Sequence, residues 1–147
     1  MVDNGAARVG RQAGRTGSPP ARRYGRDMAN RITSIAIDCA DPELLATFWT
    51  AVLGWQVTER EEDGVSIGAP GSPFGIDFFR VPEPKQVKNR LHLDLNATDR
   101  DQEAELRRLL ELGARPADVG QGEVSWYVLA DPEGNEFCLL RSRVDPV

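Results

Sequence analysis

The chain has 147 residues, of which 40% are hydrophobic and 28% charged, and its net charge is −5. This is the composition of one globular domain, or of two small modules sharing a core. It holds no apolar run long enough to cross a bilayer, and no apolar stretch after its leading arginines that would make a signal peptide.

The charge is unevenly spread. Residues 1–30 carry six arginines against Asp3 and Asp27, a net of +4, which leaves −9 for the remainder. An acidic body argues against nucleic acid as a partner. The first 29 residues are basic, rich in Gly, Ala, Ser and Pro, and nearly free of large apolar side chains, so they are expected to be a disordered extension. Two cysteines, Cys39 and Cys138, make no disulfide framework. They read as reduced thiols buried in strands of a cytoplasmic protein.

Ile32 to Asp38 alternates like a strand. Asp41-Pro42-Glu43 then opens a helix, with Asp41 as N-cap and Pro42 at the first helical position. Leu44, Leu45, Phe48, Trp49, Val52 and Leu53 form its apolar stripe, and Gly54 stops it. Strands are predicted at Trp55 to Arg60, Val65 to Ala69 and Gly75 to Val81. Pro82-Glu83-Pro84-Lys85 reads as a linker.

The order then recurs. Leu91 to Asn96 is a strand containing His92, the only histidine of the chain. Asp99 is the expected N-cap of a second helix, with Gln102 placed for a capping box, and Gly113 stops it. Weaker strand signals run from Ala114 to Val119 and a clear one from Ser125 to Ala130. Asp131-Pro132-Glu133-Gly134 is a turn, and Asn135 to Arg141 the last strand. Spacings repeat as well: Ser34 to Asp41 and His92 to Asp99 both span seven residues, and Gly54 to Asp77 and Gly113 to Glu136 both span 23. Each half reads as βαβββ, module one over residues 30–83 and module two over 88–142, with 143–147 a short tail.

The strings Asp41-Pro42, Phe48-Trp49, Leu53-Gly54-Trp55, Val81-Pro82-Glu83, Asn89-Arg90-Leu91-His92-Leu93-Asp94-Leu95, Leu112-Gly113-Ala114-Arg115 and Asp131-Pro132-Glu133-Gly134-Asn135-Glu136-Phe137 resemble the vicinal oxygen chelate superfamily. That superfamily includes glyoxalase I, fosfomycin-resistance proteins, extradiol dioxygenases and bleomycin-binding proteins, and the chain looks most like its glyoxalase-like domain proteins. The resemblance covers roughly residues 31–142. It implies an α+β fold in which the two tandem βαβββ modules form a curved open sheet around a bowl-shaped pocket. It also implies a divalent ion with ligands at Asp77, His92 and Glu136, with Ser34 at the fourth position where His or Gln is common. A homodimer is the candidate assembly.

Alternation sorts the faces of the strands. Arg90, His92 and Asp94 share the bowl side with Ser34 and Asp38, with Asp77 and Phe79, and with Glu136 and Cys138. Carboxylates gathered there need a cation, a donor or a proton. A metal satisfies that need, and so does Arg90 paired with Asp94 or Glu136. One imidazole plus carboxylates suits Mn²⁺, Fe²⁺, Ni²⁺, Co²⁺ or Zn²⁺, and a zinc site built of cysteines is excluded. In the metal-bound case Glu136 or Asp77 is the candidate base. Ser34, Asp38, Phe79, Arg90, Asp94 and Trp126 are the candidate substrate-binding residues.

Two functions remain open. One is a metal-dependent lyase, isomerase or transferase acting on a small oxygenated substrate. The other is a metal-free protein that sequesters a small molecule, as bleomycin-resistance proteins do. Extradiol oxygenation is disfavoured because it uses two histidines.

Overall fold

The computed structural model describes residues 30–146; the basic stretch 1–29, expected to be disordered, lies outside them. Module one contains β1 (Ser34–Cys39), α1 (Pro42–Leu53), β2 (Gln56–Arg60), β3 (Gly64–Gly68) and β4 (Gly75–Arg80). Module two contains β5 (Leu93–Leu95), α2 (Gln102–Glu111), β6 (Arg115–Pro116), β7 (Tyr127–Ala130) and β8 (Glu136–Leu139). The expected tandem βαβββ repeat therefore forms, as two four-stranded sheets ordered β1-β4-β3-β2 and β5-β8-β7-β6. In each, the first and last strands pair in parallel.

The first helix follows from its sequence. The Asp41 carboxylate accepts from the Leu44 N–H at 3.2 Å, Pro42 begins the first turn, and Gly54 closes the helix at φ 67. An added side chain at that φ would be strained, so glycine suits the stop. Leu45, Ala46, Phe48, Trp49 and Val52 are buried, while Leu44, at the margin of the stripe, is 44% exposed.

The second module departs from expectation in three places. The N-cap of α2 is Asp101, which accepts from the Ala104 N–H at 2.8 Å, and not Asp99. The carboxylate of Asp99 instead accepts from Nε and Nη2 of the Arg100 guanidinium at 2.7 and 2.8 Å. Gln102 consequently opens the helix, and its amide donates to the Ser125 and Leu139 carbonyls, each at 3.1 Å. Strand β6 is only two residues long because Pro116 has no N–H to give a ladder. Strand β5 starts at Leu93, not Leu91: before it, the Asn89 N–H meets the Glu136 carboxylate, and Leu91 stands 70% exposed.

One core runs through both modules. The rings of Phe48 and Trp49 on α1 pack on Phe137 of β8, with Trp49 at 5.1 Å and Phe48 at 6.2 Å between centroids. Polar fasteners accompany it. Trp49 Nε1 donates to Asp131 at 3.1 Å, and Asp131 is fully buried. The Glu133 carboxylate accepts from the N–H groups of Ala40 and Asp41, at the junction of β1 and α1. From α2, Arg108 donates to the Ala51 and Val52 carbonyls at the end of α1. A cation there offsets both the orphan carbonyls and the negative end of the helix dipole. Downstream of β8, the Val144 N–H donates to Ala97, which ties residue 144 of the tail to module two.

Candidate functional site

These fasteners leave a cleft of about 670 Å³ between β1 and the segment leading into β5. Ile35, Ile37, Trp49, Leu93 and Phe137 supply apolar lining; Asp38, Lys85, Asn89, Arg90, His92, Asn135 and Glu136 supply polar lining. The two kinds of lining follow from alternation, because the edges of β1 and β5 expose both faces of their strands to the same space.

Of the residues expected to form a site, Asp38, Arg90, His92 and Glu136 line this cleft. Asp94 lies beside it, its Oδ1 3.4 Å from His92 Nε2. The others lie elsewhere. Asp77 pairs laterally with Ala36 and Ser66, and its Oδ1 accepts from the Ser66 hydroxyl at 2.7 Å. Ser34 pairs with Gly75, two residues short of Asp77. In module two, His92 and Glu136 immediately precede the Leu93–Phe137 pair. The module-one residue standing beside Asp77 as His92 stands beside Glu136 is therefore Ala36, which has no donor atom, and not Ser34. Phe79 is 39% exposed on β4 and covers Gly64, where a Cβ would meet its ring at 2.9 Å. Trp126 borders a separate hollow of about 250 Å³ with Gln102 and Arg141.

Glu136 is the centre of the polar lining. Its Oε1 meets Lys85 Nζ at 2.9 Å and its Oε2 meets the Asn89 N–H at 3.0 Å. Burial alone would raise its carboxyl; the Asn89 N–H and the Lys85 ammonium outweigh burial and hold it below its ordinary value. The cation at Glu136 is thus Lys85, not Arg90. Lys85 belongs to the segment read as a linker, and no local pattern pointed to it.

The superfamily's divalent ion would require free donors at Glu136 and Asp77 beside His92. Both oxygens of Glu136 are committed, one oxygen of Asp77 is committed to Ser66, and Ala36 offers nothing. The carboxylates expected to hold the ion are thus already hydrogen-bonded within the protein, and the fourth position has no donor atom. Among the described residues, the His, Cys, Asp and Glu side chains whose ligand atoms come within 4.8 Å of one another as a trio are His92, Asp94 and Cys138. Cys138 was read as a small buried residue on the bowl side, and not as a ligand. The signal for it was present, since it lies two residues beyond Glu136 and shares its face. Burial raises its thiol above the ordinary value, and the Asp94 carboxylate adds to the shift.

A profile of the glyoxalase-like domain matches residues 34–140. Solved structures share the fold. A glyoxalase/bleomycin resistance protein/dioxygenase family enzyme from Burkholderia phytofirmans is 21% identical over 73% of this chain and 94% of its own, with a TM-score of 0.55. The fosfomycin resistance protein FosX from Mesorhizobium loti is 13% identical over 80% and 95%, with a TM-score of 0.57. A mutant FosX from Listeria monocytogenes, in complex with Mn(II) and 1S,2S-dihydroxypropylphosphonic acid, is 13% identical over 80% and 93%, with a TM-score of 0.60. No curated protein matches the sequence. The described residues include no helix long and apolar enough to cross a membrane.

Proposed function

Because the chain belongs to the glyoxalase-like domain family, we propose that it binds a small oxygenated molecule in the cleft directly on its own side chains, as a sequestering protein of the bleomycin-resistance type does. The observation that carries this reading is the state of Glu136: Lys85 and Asn89 occupy both of its oxygens, so a protein cation already balances the charge that a metal would balance. The apolar lining suits the body of such a ligand. Arg90, His92 and Asn135 line the same cleft and carry N–H donors for its oxygens.

The second reading is a metal-dependent lyase, isomerase or transferase using Glu136 or Asp77 as base. It is favoured by the adjacency of His92 and Glu136 and by the Mn(II) in the FosX complex. The experiment that separates the two is a thermal-shift screen of small oxygenated compounds, run with EDTA and again with Mn²⁺. Hits that persist in EDTA and disappear in Arg90→Ala support the sequestering protein. Hits that require Mn²⁺ and vanish in Glu136→Gln overturn it in favour of the enzyme. The proposal places the protein in the cytoplasm, a reducing compartment suited to its two free, buried thiols. It also includes a homodimer, which sedimentation tests.

A further inference from the structure

We propose that His92, Asp94 and Cys138 form a thiolate-containing site for a borderline divalent cation of the zinc or cobalt class, set apart from the position at Glu136. Two of the donors are fixed by the sheet, since Asp94 and Cys138 are lateral partners on β5 and β8. The third, His92, lies just before β5 and brings its Nε2 to 3.4 Å from Asp94 Oδ1. The ligand atoms of all three lie within 4.8 Å of one another. Bonds of about 2.0–2.3 Å at a tetrahedral zinc put donor pairs roughly 3–4 Å apart, so little contraction is needed.

The donor types select the metal. An imidazole nitrogen, a carboxylate oxygen and a thiolate sulfur together favour Zn²⁺ or Co²⁺, and the thiolate disfavours the harder Mn²⁺ and Mg²⁺. Availability also separates this trio from Glu136. The side-chain partners of His92 and Cys138 lie within the trio, whereas Glu136 is held by Lys85 and Asn89. His92 and Asp94 are 41% and 51% exposed at their side chains, which gives an ion a path in and water a fourth position. On binding, the Cys138 thiol gives its proton to solvent and its sulfur becomes the ligand. His92 also lines the cleft, so the ion would border the ligand space. This inference goes beyond the sequestering reading and does not depend on it.

The test is titration of the full chain with Co²⁺, followed by absorption spectroscopy. A thiolate-to-cobalt charge-transfer band is expected in the wild type, lost in Cys138→Ser and His92→Ala, and retained in Cys39→Ser and Glu136→Gln. Zn²⁺ should displace the cobalt and abolish the band, a result that needs no variant to fold. Melting by circular dichroism checks that Cys138→Ser is folded. Absence of cobalt binding to the wild type overturns this site and leaves the sequestering reading untouched. Cobalt bound without the thiolate band, and lost in Glu136→Gln, overturns both.

Discussion

Asp131 is a carboxylate with no exposed surface and, among the described residues, no ion-pair partner within 4 Å. It persists because donors surround it: Trp49 Nε1, the Glu133 N–H, and both the main-chain and side-chain N–H groups of Asn135. A buried charge is tolerable only under such saturation. Asp131→Ala leaves the Trp49 and Asn135 donors unpaired, and we expect a loss of about 3 kcal/mol in urea unfolding. Glu136 illustrates the other solution, a resident cation. Its carboxyl is depressed in the folded state, so its contribution to stability is present above the unfolded carboxyl value and is lost as pH falls through the folded one. Lys85→Met keeps the burial and removes the ammonium. The Glu136 carboxyl should rise, and the acid-side loss of stability should begin at a higher pH; carboxyl NMR titration would measure the shift. A Glu136 titration unchanged in the variant would show that Lys85 does not set it. Neither partnership was legible in the sequence. Arg90 was the nearer candidate for Glu136, while Lys85 arrives 51 residues away in the chain along a segment stiffened by two prolines.

The helices and strands show where legibility ended. Module one was readable because Asp41, Pro42 and Gly54 each have one favourable place. Module two offered two aspartates before its helix, and the seven-residue spacing favoured the wrong one. Asp99 pairs instead with Arg100, an adjacent residue whose contact the repeat did not predict. The equal spacing also paired Ser34 with His92, where the sheet register sets Ala36 beside Asp77. His92 and Glu136 nonetheless line one cleft. Capping gives a direct check. Asp101→Ala should cost about 1 kcal/mol, whereas Asp99→Ala, which removes only an exposed ion pair, should cost clearly less. Equal losses in thermal unfolding would return the cap to Asp99. Gly75 supplies a second check within β4. A Cβ there would lie 2.6 Å from the Ile67 carbonyl oxygen, which is backbone of the paired strand and cannot rotate away. We expect Gly75→Ala to destabilise by roughly 1–3 kcal/mol, measured by denaturant midpoint.

For the whole molecule, the two modules resemble copies but do not contribute equally. Phe48 and Trp49 of module one cover Phe137 of module two, so residues 88–142 alone would expose that ring and leave Asp131 without the Trp49 donor. Expressed alone, this half should show no cooperative thermal transition by circular dichroism; a sharp transition would show that it is autonomous. The fastening by the 131–134 turn is also one-sided. In module one, Ser72 and Phe74 stand where the repeat places Asp131 and Glu133, and Phe74 turns to Trp55 instead, with ring centroids 6.3 Å apart. The Glu133 carboxylate therefore reaches from one half to hold two main-chain N–H groups of the other, at Ala40 and Asp41. Those protons are held in hydrogen bonds by a side chain 92 or 93 residues away, which slows their exchange with deuterated solvent. Their exchange rates then time the parting of the halves, and a compound wedged into the cleft beside Asp38 would be read two residues along the strand as a change in that clock.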